Sequence, residues 1–209
     1  MAISAGLRNT ICVLESGALI TATTGGNFKQ ERYTHGANTV VIMRDKNDGD
    51  GKKKAKCVKK AVETISKKGF AIPNNLMVYC VAVPAAQNRS YNRDSNFNQI
   101  SVITLGITAL QNGRPDATSA QHALYPGFSK GDITTIHEIG HCIHAANRGD
   151  AFFDPASGLG NAPTNAAAVS GYAGTNRKEF VAEVFAGLMI GRVFTNQVIE
   201  EYVGYGGPM

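Results

Sequence analysis

Residues 132–146 read DITTIHEIGHCIHAA, and this stretch decides which fold the chain can adopt. Its apolar residues recur at the spacing of an amphipathic helix: Ile136, Ile139, Ile143 and Ala146. His137 and His141 are four residues apart, so both imidazoles lie on one helical face and can reach one ion. Glu138 lies at the edge of that face, where a carboxylate acts on water without binding the metal. The stretch therefore predicts the active-site helix of a zinc hydrolase. The alternative is a surface helix with incidental histidines.

A catalytic zinc ion needs a third protein ligand and an open position. The pattern HExxHxxGxxH would supply a histidine from the same helix, but its last two positions are occupied by His144 and Asn147. A GTxD segment would supply an aspartate, but here that position is occupied by Arg177. Neither option provides a ligand, which leaves a glutamate from a later helix.

Residues 176–183, NRKEFVAE, offer two carboxylates on one face of a second predicted helix, Glu179 and Glu183. Such a pair suits a division of labour in which one carboxylate binds the metal and the other holds a ligand histidine by its far ring nitrogen. The alternative is a capping box of Asn176 with Glu179, with Glu183 on the surface. We favour Glu179 as the ligand, because the capping box alone leaves the metal without one.

Tyr172 precedes Glu179 by seven residues, on the loop that enters the second helix. A phenol there can donate a hydrogen bond to the oxyanion of a tetrahedral intermediate. The alternative is a tyrosine that only packs.

HEIGH at 137–141, followed by YAGTNRKEFVAE at 172–183, resembles the gluzincin metallopeptidases related to anthrax lethal factor and the Pro-Pro endopeptidases. That group shares the order Tyr-x6-Glu-Phe-x-x-Glu. The resemblance implies one zinc ion per chain, with these roles: ligands His137, His141 and Glu179, general base Glu138, catalytic assistance from Tyr172 and ligand support from Glu183. It covers residues 132–144 and 170–187, and residues 1–130 carry no part of it.

The net charge of +5 on 209 residues comes from one basic segment, residues 46–68. Its nine lysines are Lys46, Lys52, Lys53, Lys54, Lys56, Lys59, Lys60, Lys67 and Lys68. An apolar stripe from Cys57 to Ile65 predicts a helix here, with the lysines on its solvated faces. The segment lacks the interleaved aromatic residues of a nucleic-acid site, so no nucleic-acid partner is expected. The residues at 45–51, DKNDGDG, predict a tight turn, because a calcium loop would need glycine at 50 and glutamate at 56.

The order of elements predicts an α+β fold with a twisted mixed sheet packed on the 132–146 helix, as in zincins. Predicted strands are 10–15, 19–24, 39–43, 77–83 and 100–110, with 120–125 returning antiparallel after a turn at 112–113. The strands at 39–43 and 77–83 flank the lysine helix and are expected in one sheet. Helices are expected at 176–190 and 195–203, and the long loop 147–174 is expected to be functional. We expect one domain over 1–209, sheet-rich over 1–130 and helical over 131–209.

Five further residues receive an interpretation. Cys142 is expected in the core, while Cys57 and Cys80 are expected to face each other as a disulfide or as thiols. His144 is expected to be partly exposed, and His122 is assigned an ordinary surface role on the 120–125 strand.

Taken together, the residues predict a zinc endopeptidase that acts on a protein or peptide, with an extended substrate along the sheet edge near 100–125. Alternatives are a zinc amidase acting on cell-wall peptides and a basic binding module with a vestigial metal site. The chain has no apolar run long enough to span a membrane, and no signal peptide is expected. A cytoplasmic peptidase and an effector or toxin exported without a signal both fit, and the small size and the resemblance favour the second.

Overall fold

The computed structural model describes residues 27–74, 76–82, 89–93, 99–106, 110 and 116–209. The predicted opening strands at 10–15 and 19–24 and the predicted turn at 112–113 lie outside these residues.

Five strands form one mixed sheet in the order β1-β2-β3-β5-β4. They are β1 (Phe28–His35), β2 (Asn38–Asp45), β3 (Leu76–Cys80), β4 (Arg89–Arg93) and β5 (Gln99–Leu105). The three inner strands β2, β3 and β5 run parallel, and the outer strands β1 and β4 each pair antiparallel with their neighbour. Every residue of β3 is buried, as expected for a central parallel strand covered on both faces.

The described residues include four further elements that are long α-helices: α1 (Gly51–Lys67), α2 (Lys130–Arg148), α3 (Arg177–Ile190) and α4 (Asn196–Gly204). Helix α1 connects the parallel strands β2 and β3. One hydrophobic core takes side chains from the sheet and from all four helices. The predicted α+β class, with a mixed sheet and a helical carboxyl-terminal part, is confirmed.

The predicted strand at 120–125 is wrong. Thr118–Leu124 is a 3₁₀ helix, and the antiparallel neighbour of β5 is β4, which the sequence reading did not identify. Because β3 and β4 already pair with the two sides of β5, that strand has no free side for a further partner. The sheet edge was expected near 100–125, but among the described strands that edge is formed by β4.

The lysine-rich helix α1 carries most of its lysines on exposed faces, as predicted, with one exception. Lys54 is fully buried, and its Nζ donates to Asp48 Oδ2 at 2.8 Å and to the Val81 carbonyl at 2.7 Å. The prediction that Lys54 lies on a solvated face was wrong. Its ammonium group is buried because the Asp48 carboxylate balances its charge and the Val81 carbonyl accepts a further hydrogen bond from it. Asp48 is itself part of the tight turn before α1.

The three described cysteines, Cys57, Cys80 and Cys142, are buried free thiols. The core position predicted for Cys142 is confirmed. No helix among the described residues is both long and apolar enough to cross a bilayer.

Candidate metal centre

Helix α2 presents the two histidines because its start and its buried face are both well defined. Ser129 and Asp132 form a capping box, with Ser129 N donating to Asp132 Oδ2 at 2.8 Å and Asp132 N to Ser129 Oγ at 3.2 Å. Three members of the predicted apolar stripe, Ile136, Ile139 and Ile143, are buried in the core, whereas the fourth, Ala146, is exposed. His137 and His141 both extend toward α3, and their rings are 4.7 Å apart, edge to face.

Asn176 is the N-cap of helix α3, and its side chain accepts a hydrogen bond from Glu179 N at 3.0 Å. Asn176 therefore is a cap, as the alternative reading held. The Glu179 side chain, however, turns toward α2, where its Oε2 lies 3.1 Å from a ring nitrogen of each of two histidines, His137 and His141. Glu179 thus has its backbone N–H capped while its carboxylate joins the histidines.

Three atoms on these two helices form an equilateral triangle: His137 Nε2, His141 Nε2 and Glu179 Oε2. Each of the three separations is 3.1 Å. A tetrahedral zinc ion with bonds of about 2.0–2.1 Å separates its ligands by about 3.3 Å. The triangle therefore matches three corners of such a site, and the donors are of the kind found in catalytic zinc sites.

Glu183 lies one turn after Glu179 and is buried behind the triangle. Its Oε1 is 2.7 Å from His137 Nδ1, the ring nitrogen that faces away from the other two donors. Its Oε2 accepts hydrogen bonds from Thr118 N at 2.6 Å and from Ser170 Oγ at 2.7 Å. Glu183 thus lies within ion-pair distance of His137 on the side of the ring away from the triangle, the position expected of a carboxylate that supports a ligand histidine.

The electrostatics of the cluster favour a positive charge at its centre. Burial lowers the pKa of His137, but the carboxylates of Glu179 and Glu183 outweigh burial and hold that pKa well above its usual range. Burial likewise opposes ionisation of both carboxylates, yet the histidines beside them hold the pKa of each carboxyl below its usual range. Two ionised carboxylates around two imidazoles suit a cation.

Tyr172 and Glu138 also lie at this site. The Tyr172 ring centroid is 5.9 Å from that of His137, and the two planes are inclined by 31°. Tyr172 N donates to the Asp116 carbonyl at 2.9 Å, at the start of a 3₁₀ turn, Tyr172–Gly174, that leads into α3. Glu138 is buried next to His137 on α2. The structure thus brings together five of the six residues singled out from the sequence, and the sixth, Glu138, follows His137 in the same helix.

The long loop before α3 is organised as short 3₁₀ turns and is tied to α4. The turns are Gly149–Phe152, Pro155–Ser157, Ala166–Ala168 and Tyr172–Gly174. The Glu201 carboxylate accepts hydrogen bonds from Thr164 N at 2.6 Å and from Asn165 N at 2.8 Å. The loop is therefore held in place by α4.

The expectation for His144 is wrong. This side chain is fully buried, its Nε2 donates to the Tyr205 carbonyl at 2.9 Å, and burial lowers its pKa to about 4. Three residues after His141, it faces the chain segment after α4 instead of solvent. His122 is half-buried on the 3₁₀ helix and not on a strand.

Sequence reasoning missed two contributors to the site, Ser170 and Thr118. Ser170 lies in a loop without periodicity, and its only sequence signal is its nearness to Tyr172. Thr118 contributes a backbone N–H, which any residue except proline has. Neither contribution is visible before the chain is folded.

Comparison with known proteins adds nothing to this geometry. No protein-family model, curated protein or solved structure matches the chain. The resemblance seen at 137–141 and 172–183 therefore stays a prediction, and the function has to be argued from the site.

Close approach of α3 to α2 depends on Gly140, which lies between Glu138 and His141. A Cβ at this position would lie 2.8 Å from Cδ1 of the fully buried Phe185 ring. We expect Gly140→Ala to destabilise the protein by about 1–2 kcal/mol, because overpacking exceeds the gain of about 1 kcal/mol in helix propensity. Urea unfolding measures this change. Gly204→Ala in α4 is the matched control, because no atom lies within 4 Å of its added Cβ. Equal stability of the two variants would contradict close helix packing at Gly140.

Proposed function

We propose that the chain is a zinc-dependent endopeptidase of zincin type, with His137, His141 and Glu179 as zinc ligands. The observation that supports this most strongly is the triangle of three donor atoms, each 3.1 Å from the other two. A histidine pair and a carboxylate, with the fourth position open, are the donors of hydrolytic zinc sites. Histidines that bind zinc usually have a carboxylate beside their other ring nitrogen, and the buried Glu183 lies there beside His137.

Zinc, when bound, supplies a Lewis acid that polarises the substrate carbonyl and makes water a stronger nucleophile. Glu138 takes a proton from the attacking water as the new C–O bond forms. It then gives that proton to the amine as the C–N bond breaks. The Tyr172 phenol donates a hydrogen bond to the oxyanion between these two steps. Glu183 holds His137 in place throughout.

The edge strand β4, which contacts the helix that carries His137 and His141, supports an extended peptide as the substrate. Among the described strands, β4 pairs only with β5 and forms one edge of the sheet. An extended peptide binds such an edge through main-chain hydrogen bonds, which require no particular side chains. We therefore propose that the substrate lies along β4, in place of the edge first expected near 100–125.

Zinc analysis and peptide cleavage test this proposal on the wild-type protein. We expect one zinc ion per chain by atomic emission, cleavage of casein or of a peptide library, loss of cleavage after chelation, and recovery on adding zinc. Release of peptidoglycan fragments without casein cleavage would instead support the cell-wall amidase. Absence of bound zinc after purification in zinc-containing buffer would reject both enzymes and support the binding module with a vestigial site.

A further inference from the structure

We infer that Ser170 is a positioning residue of the proposed reaction, because its hydroxyl links the carboxylate behind His137 to the turn that carries Tyr172. The inference rests on the proposed function. It adds to that function a residue that lies in neither HEIGH at 137–141 nor YAGTNRKEFVAE at 172–183. This residue orients both a ligand histidine and Tyr172.

The Ser170 hydroxyl uses its donor and its acceptor at once. Its Oγ donates to Glu183 Oε2 at 2.7 Å and accepts a hydrogen bond from Ala173 N at 3.1 Å. Ser170 and Glu183 are both buried, so bulk water does not substitute freely for either contact. A hydrogen bond to a buried carboxylate is of the stronger kind.

The donor side of Ser170 acts on the metal ligand. Glu183 directs Oε1 at His137 Nδ1, 2.7 Å away, while Oε2 is held by Ser170 Oγ and Thr118 N. These two donors fix the plane of the carboxylate, and the plane determines how Oε1 meets the imidazole. Loss of one donor frees the carboxylate to rotate and loosens His137.

The acceptor side of Ser170 acts on Tyr172. Ala173 N belongs to the 3₁₀ turn Tyr172–Gly174, so its bond to Ser170 helps to set the direction of that turn. The turn is also pinned at Asp116, whose carbonyl accepts from Tyr172 N at 2.9 Å. A Cβ added at Gly171 would lie 3.0 Å from Asp116 Cβ, so the segment has little room to shift there. Ser170 therefore orients the proposed oxyanion donor as well as the ligand.

The test compares Ser170→Ala, Ser170→Thr and Thr135→Val in the zinc-loaded protein. Ser170→Ala removes the hydroxyl and Ser170→Thr keeps it. Thr135→Val removes another buried hydroxyl, which bonds only the Gly131 carbonyl at 2.7 Å in the same helix. Readouts are kcat and KM, zinc affinity by chelator competition, the visible absorption of the cobalt-substituted protein, and thermal stability.

We expect Ser170→Ala to lower kcat and zinc affinity roughly tenfold each, with KM within about twofold, and to alter the cobalt spectrum. Ser170→Thr should stay within about threefold of wild type. Thr135→Val should lower thermal stability and leave kcat, KM, zinc affinity and the cobalt spectrum unchanged. A Ser170→Ala protein with wild-type kcat, zinc affinity and cobalt spectrum would overturn the inference. So would equal losses in Ser170→Ala and Ser170→Thr, because the hydroxyl would then not be the cause.

Failure of the proposed function looks different. A wild-type protein that binds zinc but cleaves no peptide would reject the endopeptidase, whereas zinc affinity and the cobalt spectrum would still report on Ser170. A wild-type protein that cleaves peptides, with Ser170→Ala indistinguishable from it, would reject the role of Ser170 alone.

Discussion

Glu138→Gln is expected to retain one zinc ion per chain and to lose about 10³-fold in kcat for peptide hydrolysis. Glutamine has the shape of glutamate but takes up no proton from water at neutral pH, and general acid–base catalysis contributes about 10²–10⁴-fold. The expected loss exceeds the lower limit of that range because Glu138 serves both proton transfers. Metal binding is expected to persist because the three donor atoms of the triangle belong to other residues.

Steady-state kinetics with a defined peptide, together with zinc analysis of the same sample, measure this effect. Glu200→Gln is the matched control, because Glu200 is an exposed carboxylate on α4. It should leave kcat unchanged. Full activity of a zinc-loaded Glu138→Gln protein would show that another group moves the proton and would reject the mechanism.

Glu179→Gln and Glu183→Gln are expected to weaken zinc binding to different extents. Loss of a supporting residue behind a ligand costs about 10–100-fold in metal affinity. Glu183 lies beside His137 Nδ1 and contributes none of the three donor atoms, so the loss of zinc affinity in Glu183→Gln should fall in this range. Glu179 contributes one of the three donor atoms, so its substitution should exceed the upper limit of about 100-fold.

Competition with a chromophoric chelator ranks the two variants, and circular dichroism establishes that both are folded. The comparison is internally matched, because both substitutions change one carboxylate to an amide on the same face of α3. Loss of zinc from Glu183→Gln but not from Glu179→Gln would reverse the two roles. The ligand set would then need to be rebuilt around Glu183.

The side-chain cluster of the candidate metal centre was predictable from the sequence to the extent that it depends on local spacing. His137 and His141 are one helical turn apart, as are Glu179 and Glu183, and any regular helix places such pairs on one face. The sequence alone therefore sufficed to propose which side chains meet. It did not reveal that Asn176 caps α3 while Glu179 turns to the histidines, because both readings use the same residues.

The errors fall where long-range pairing decides the structure. A strand at 120–125 would need a place beside β5, but β3 and β4 already flank that strand. Lys54 shares its sequence environment with exposed lysines, and only the folded chain brings its Nζ to Val81. His144 meets the Tyr205 carbonyl, 61 residues further along the chain. Contacts of this kind leave no trace in local periodicity.

The division of the three donor atoms between two helices has a consequence for the order of events during synthesis. Glu179 follows His141 by 38 residues. At about 5–20 residues per second, the ribosome releases the third donor roughly 2–8 s after the histidine pair. Under the proposed zinc coordination, a nascent chain in that interval displays two imidazoles without their carboxylate partner and holds the ion more weakly than the complete set. Assembly of the proposed ligand set then waits until α3 docks on α2.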